Sequence, residues 1–122
     1  MITSYASLPD LVIPNGQTHS QVFNGVYVYH DAVGGIEIYS PDTLPESVYI
    51  EVNQDQLATN SSSGWKPIET FDDTGASVRL YVPGAGKAQT YTDMIPAGSF
   101  RLTSTTAVVA DRTFKCNKLW ST

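Results

Sequence analysis

Two stretches of the chain alternate between apolar and polar residues. In Ser47-Val-Tyr-Ile-Glu-Val-Asn53, the residues Val48, Ile50 and Val52 fall on one face and Tyr49, Glu51 and Asn53 on the other. In Ala76-Ser-Val-Arg-Leu-Tyr-Val82, the residues Val78, Leu80 and Val82 alternate with Ser77, Arg79 and Tyr81. A period of two sustained over such lengths predicts half-buried antiparallel strands. Between them, Trp65 follows a Ser/Asn/Gly loop, and Asp72-Asp73-Thr74-Gly75 predicts a tight turn.

The rest of the chain repeats this rhythm. Leu11-Val-Ile13 reads as a short strand, with Pro14-Asn-Gly16 as the turn after it. Residues 20–23 resume the sheet, Asn24-Gly25 predicts a hairpin, and residues 26–29 are apolar on both faces. Ile36 and Ile38 point inward from the next strand. Ser40 is placed to cap one helical turn with Pro41 at its first position, and residues 55–58 suggest another brief helical turn. Strands are predicted at 87–91, at 99–103 with Phe100 and Leu102 inward, at 105–109 and at 111–117. All seven prolines fall outside these strand runs, and no stretch of ten or more residues has helical periodicity. The expected fold is all-β: an antiparallel β-sandwich, jelly-roll or Ig-like, of about eight short strands. Residues 1–9 read as an N-terminal arm closed by Pro9, 10–117 as the sandwich domain and 118–122 as a C-terminal tail. The expected core is Val48, Ile50, Val52, Val78, Leu80, Phe100, Leu102 and Phe114.

Composition narrows the functional classes. A single domain of 122 residues buries about two-thirds of its unfolded surface and needs no metal or disulfide to fold. The lone Cys116 shares the face of Phe114 and reads as a buried small hydrophobe. There is no long apolar run and no basic N-terminal segment, so neither a membrane span nor a secretory leader is expected, and the chain is expected to fold in a cytosol. The net charge of −5 argues against nucleic acid as a partner. All seven cations lie between Lys66 and Lys118, whereas Asp10, Asp31, Glu37, Asp42, Glu46, Glu51 and Asp55 precede the first of them. If folding does not interleave the halves, that asymmetry suits head-to-tail contact between copies.

Candidate chemistry is sparse. His19 and His30 lack a metal-ligand partner in spacing and read as loop histidines. Asp72-Asp73-Thr74-Gly75 resembles the opening of a calcium loop but lacks the later acidic ligands. Asn60-Ser61-Ser62 matches a glycosylation acceptor at near-chance specificity. No nucleophile elbow or phosphate loop is present, so the expectation is no enzyme, no cofactor and no metal. The surplus is aromatic. Tyr49 and Tyr81 point away from the inward faces of their strands, as candidate surface aromatics for protein or sugar. Trp65 reads as a core lid under its loop, with a ligand platform as the alternative. Ile2, Tyr5 and Leu8 in the arm and Leu119 and Trp120 in the tail are too apolar for free ends, and are candidate contacts with another chain.

Several segments are familiar in order. Leu8-Pro-Asp-Leu-Val-Ile-Pro-Asn-Gly-Gln-Thr18 resembles an opening strand followed by a Pro/Ala-x-Gly turn. Gly35-Ile-Glu-Ile-Tyr-Ser-Pro41 resembles a Gly-Ile-x-x-Pro strand end, and Gly64-Trp-Lys-Pro-Ile68 with Asp73-Thr-Gly75 resembles a Trp…Asp-x-Gly pattern. Phe100-Arg-Leu-Thr-Ser104 and Ala110-Asp-Arg-Thr-Phe-Lys115 resemble two closing strands. Together, over residues 8–115, the chain resembles the small β-sandwich virion accessory proteins of tailed bacteriophages. Two features depart from that pattern: the longer loop 54–63 and the extended tail. The resemblance implies a non-enzymatic role on the outer capsid surface, as a decoration or cement protein made in the host cytoplasm. Its implied partners are the major capsid protein and further copies of itself, a trimer rather than a dimer. A glycan-binding or adhesin module, and a tail or head–tail joining protein, are the rival readings.

Overall fold

A computed structural model describes residues 4–24, 33–91 and 98–120, with Ser4, Val33, Gly34 and Trp120 described by backbone alone. The expected strand 26–29, the residue Ile2, the Gly25 half of the first hairpin and most of the turn at 93–98 lie outside the described residues. Among those described there is no helix, and the fold is an antiparallel β-sandwich. Its strands are β1 (Ser4–Ile13), β2 (Val33–Tyr39), β3 (Val48–Asn53), β4 (Lys66–Pro67), β5 (Glu69–Phe71), β6 (Ser77–Arg79), β7 (Ala88–Tyr91), β8 (Ser99–Ser104) and β9 (Arg112–Trp120).

The first sheet has the order β1-β9-β2-β7, and the second has the order β4-β3-β8. The segment 18–23 extends the second sheet beyond β8. Ser20 N donates to Leu102 O at 3.0 Å, and Phe23 and Phe100 exchange two backbone hydrogen bonds of 2.9 Å. On the other side of β3, residues 80–82 return beside it: Ile50 N donates to Leu80 O at 3.1 Å and Val82 N to Val48 O at 2.9 Å. The two sheets close over Leu11, Ile13, Ile36, Ile38, Ile50, Phe100, Leu102 and Phe114, all fully buried. Alternation dictates this packing, because every second residue of these strands points between the sheets. Phe100 meets Phe23 edge-on, with ring centroids 5.3 Å apart.

The structure corrects several expectations. Where described, from Ser4 and up to Trp120, the expected arm and tail are strands. Ser4 pairs with Trp120, Tyr5 with Leu119 and Leu8 with Cys116, so the sandwich runs from the start of β1 to the end of β9. Pro9 does not close an arm. It sits where the β1–β9 register shifts between Leu8 and Leu11, and a bulge tolerates a residue with no N–H. Pro67 likewise ends the two-residue strand β4. Beyond the bulge, the outer edge of β1 is occupied by the Gln21 side chain, which accepts from Val12 N at 2.8 Å and donates to Asp10 O.

Residues 105–109 form bends rather than a strand. Val108 plugs the core while Val109 is exposed, tied by Val108 N to Gln17 O and Gly16 N to Val108 O. No helical turn follows Ser40; its hydroxyl instead donates to Pro83 O at 2.7 Å. At 55–58 there is a single turn in which Asp55 Oδ1 accepts from Leu57 N.

Val78, expected in the core, is 37% exposed. The chain leaves the body after Ile68, forms the two-stranded ribbon β5-β6, and rejoins at Leu80. Val78 is on the ribbon, whereas Leu80 and Val52 are half-buried against the core. Gly98, just before β8, lies against the backbone that leaves β3. A Cβ there would come within 2.6 Å of the Gln54 carbonyl, closer than side chains approach backbone.

Candidate functional site

The sandwich has two outer faces of different character. On the first sheet, pairing of β1 with β9 sets Tyr5 beside Leu119, with Gly35 of β2 on the far side of Leu119. Tyr5 is 74% exposed, and Tyr39 on the same face is also exposed. The Trp120 backbone lies opposite Ser4 and Val33 at this end. Leu8, proposed from sequence as a contact residue, is instead buried in the chain's own core. Its place opposite Cys116 on the inward face leaves it nothing to offer a partner.

Between these aromatics the face is polar. Asn117 Nδ2 donates to Glu37 Oε1 at 3.0 Å. A hydrogen bond to the same carboxylate raises the Tyr39 phenol above its ordinary value. A shallow cavity of about 290 Å³ opens here, lined among others by Ser7, Tyr39, Lys115 and Asn117. Cys116 at its floor is inert as a nucleophile, because burial pushes its thiol up to about 12.

The second sheet's outer face is covered by a third layer that sequence reasoning missed. Glu51 and Arg101 face each other across β3 and β8 and are both buried. Arg101 Nε and Nη2 reach Glu51 Oε1 at 3.0 and 2.9 Å. Thr103 Oγ1 donates to the same oxygen at 2.6 Å and lies 3.2 Å from His19 Nδ1. Arg101 Nη1 also donates to the Asn60 side-chain oxygen at 3.0 Å, and its guanidinium stacks 4.2 Å from the centre of the Trp65 ring. Trp65 Nε1 donates to Thr59 O at 3.0 Å. Trp65 is therefore a lid, as expected, but one laid on a cation rather than on the apolar core.

These residues fasten the 54–65 loop onto the sheet. Glu51 Oε1 alone takes Arg101 and Thr103, and charge-assisted hydrogen bonds in a buried setting are the strong kind. Asn60 Nδ2 donates to Ser20 O at 2.9 Å, so the acceptor asparagine of the glycosylation pattern is occupied on both sides. Farther along this face, Tyr49 is only 8% exposed. The Arg79 guanidinium lies 4.3 Å from its ring centre and Tyr81 meets it edge-on, so Tyr49 is a covered ring and Tyr81, 44% exposed, is the one that meets solvent. Among the described residues, no group of three or more His, Cys, Asp or Glu side chains is placed to hold a metal ion.

His19 carries a pH dependence. Burial, then the Arg101 charge, lower its pKa below the ordinary 6.5, with Glu51 opposing. A depressed folded-state pKa means that the unfolded chain takes the proton more readily. The contribution is complete above about pH 6.5 and is lost as pH falls through the lower folded value. Urea midpoints are expected to fall between pH 7.5 and 5.5 in the wild type and to fall less in His19→Gln. Glu46, held low by its hydrogen bond to Arg112, acts separately below about pH 4.5. Equal slopes in the two proteins would remove His19 from this account.

Comparison of the chain with protein-family models, with curated proteins and with solved structures found no match.

Proposed function

We propose that this chain is a non-enzymatic structural protein of a tailed-bacteriophage virion, a decoration or cement protein that binds the outer shell of major capsid protein as a homo-oligomer. The observation that carries the reading is the pairing of the two terminal strands, which sets Tyr5 and Leu119 side by side on an open face. Tyr5 is left in water beside a half-buried Leu119, and an apolar pair of this kind on an open sheet face is explained by contact with another chain. The ordered motifs across residues 8–115 point to the virion. A sandwich whose first and last strands pair with each other is suited to holding neighbours together, because pulling on either end loads a whole ladder of hydrogen bonds. A closed trimer suits attachment at the threefold positions of a shell. Glycan binding is less well supported, since Arg79 covers Tyr49 and leaves Tyr81 without a second platform ring.

Sedimentation velocity at micromolar concentration and co-pelleting with purified shells of the encoding phage test this together. The expected result is a trimer that binds the shells saturably. Tyr5→Lys with Leu119→Lys should lower the mass to that of a monomer without changing the far-ultraviolet spectrum. A wild-type monomer would end the oligomer reading. Binding to purified tails but not to shells would move the protein to the tail or head–tail junction.

A further inference from the structure

The β5-β6 ribbon is the least embedded part of the described chain. Every residue of both strands is exposed, and Phe71 at its far end is 75% exposed. A two-stranded ribbon with no third strand and no packing face is marginally stable in water, yet this one is built to hold a shape. Asp72 Oδ1 accepts from Thr74 N at 2.9 Å, from Thr74 Oγ1 at 2.7 Å and from Ala76 N at 3.0 Å. Gly75 supplies the positive φ of 82° that the turn requires. Those bonds to the ionised carboxylate hold Asp72 below its ordinary pKa. Across the ribbon Ser77 Oγ donates to Glu69 Oε2, and at its base Arg79 lies on Tyr49, which anchors the ribbon to the sheet. A rigid turn that presents one phenylalanine to solvent has the form of a docking finger.

Its charge indicates what it docks on. Glu69, Asp72 and Asp73 flank Phe71 in the chain, and no cation lies between Glu69 and Arg79. The surface that receives it must supply an apolar pocket rimmed by lysine or arginine. A second copy of this chain is poorly suited. The protein carries a net charge of −5, and Arg101 and Arg112 are buried in their own ion pairs. Lys115, which borders the cavity on the first sheet, shares it with Asp10, and Lys66 shares the cavity beside β3 with Asp55. Arg79 lies on Tyr49, and Lys87 is exposed just before β7, so the cations a second copy offers are scattered on an acidic protein. We propose that the β5-β6 ribbon is a docking finger that inserts Phe71 into a basic-rimmed apolar pocket on the shell protein, while the Tyr5–Leu119 face serves copy-to-copy contact. The choice of shell protein rests on the functional reading above.

The test uses the full chain, shells of the encoding phage, and the variants Phe71→Ser and Asp73→Lys. The two assays are co-pelleting with shells at low and high salt, and sedimentation velocity of the protein alone. Phe71→Ser is expected to weaken shell binding about tenfold or more, as for a central aromatic anchor. Asp73→Lys should weaken it as well and flatten its salt dependence. Both variants should keep the wild-type oligomeric mass. Asp73→Lys leaves Phe71 and the Asp72 turn bonds in place, so a loss there reads charge rather than ribbon folding. Shell binding unchanged in both variants overturns the proposal while leaving the functional reading intact. A fall in oligomeric mass on Phe71→Ser also overturns it, by making the ribbon a contact between copies. Wild-type protein that does not bind shells overturns the functional reading and, with it, the occupant named here.

Discussion

Glu51→Ala is expected to lower the stability of the fold by about 3–5 kcal/mol, the range for removing one partner of a buried ion pair. The loss does not measure the attraction between Glu51 and Arg101. It measures what is left behind: a guanidinium shielded from water with its carboxylate gone, and the Thr103 hydroxyl without its acceptor. Loosening Arg101 also releases Asn60 and the Trp65 ring, so the 54–65 loop should detach from the sheet. Urea unfolding followed by circular dichroism gives the stability, and proteolysis of the loop gives its detachment. Replacing the pair together, Glu51→Leu with Arg101→Met, should recover much of the loss, because hydrophobic replacement of a buried ion pair is often neutral. A single-variant loss under about 1 kcal/mol would mean that water reaches the pair and screens it.

Phe100→Ala is expected to remove about 3–5 kcal/mol, the range for emptying a fully buried phenylalanine site. Phe100 is 0% exposed and its ring meets Phe23 edge-on, so truncation opens a cavity between β8 and the 18–23 segment. A domain of this size is stable by roughly 5–15 kcal/mol, so the variant should unfold at markedly lower urea with an unchanged slope. Phe23→Ala should cost less alone, and the double variant less than the sum, because the rings share one packing site. Strict additivity would mean that the two aromatics stabilise the sandwich independently.

The strands that were legible in the sequence are those whose alternation is paid out in burial on the same strand. Val48, Ile50, Phe100, Leu102 and Phe114 were readable because a period of two in a half-buried sheet leaves every second residue apolar. The candidate surface was partly legible. Tyr5 and Leu119 stood out as apolar residues near the chain ends, but their adjacency required the pairing of β1 with β9, which joins positions more than a hundred residues apart in sequence. Reading Pro9 as a stop hid that strand, since a proline at a bulge looks the same in sequence as a proline that ends a run.

By itself, the sequence determined the fold class, the inward faces of the long strands and the tight turn at Asp72-Asp73-Thr74-Gly75, because each follows from local periodicity or from the conformational needs of single residues. Only the tertiary structure decided which polar residues are interior. Glu51 and Arg101 sit on the polar faces of their strands, where sequence assigns them to solvent, and they are buried because the register sets them opposite each other under the 54–65 loop. The same holds for Val78 and Leu80, two residues of one alternating run. Leu80 returns to β3 and packs on the core, while Val78 departs with the ribbon. Alternation fixes which side of its own strand a residue takes. What covers that side depends on partners distant in the chain, and no local pattern encodes them.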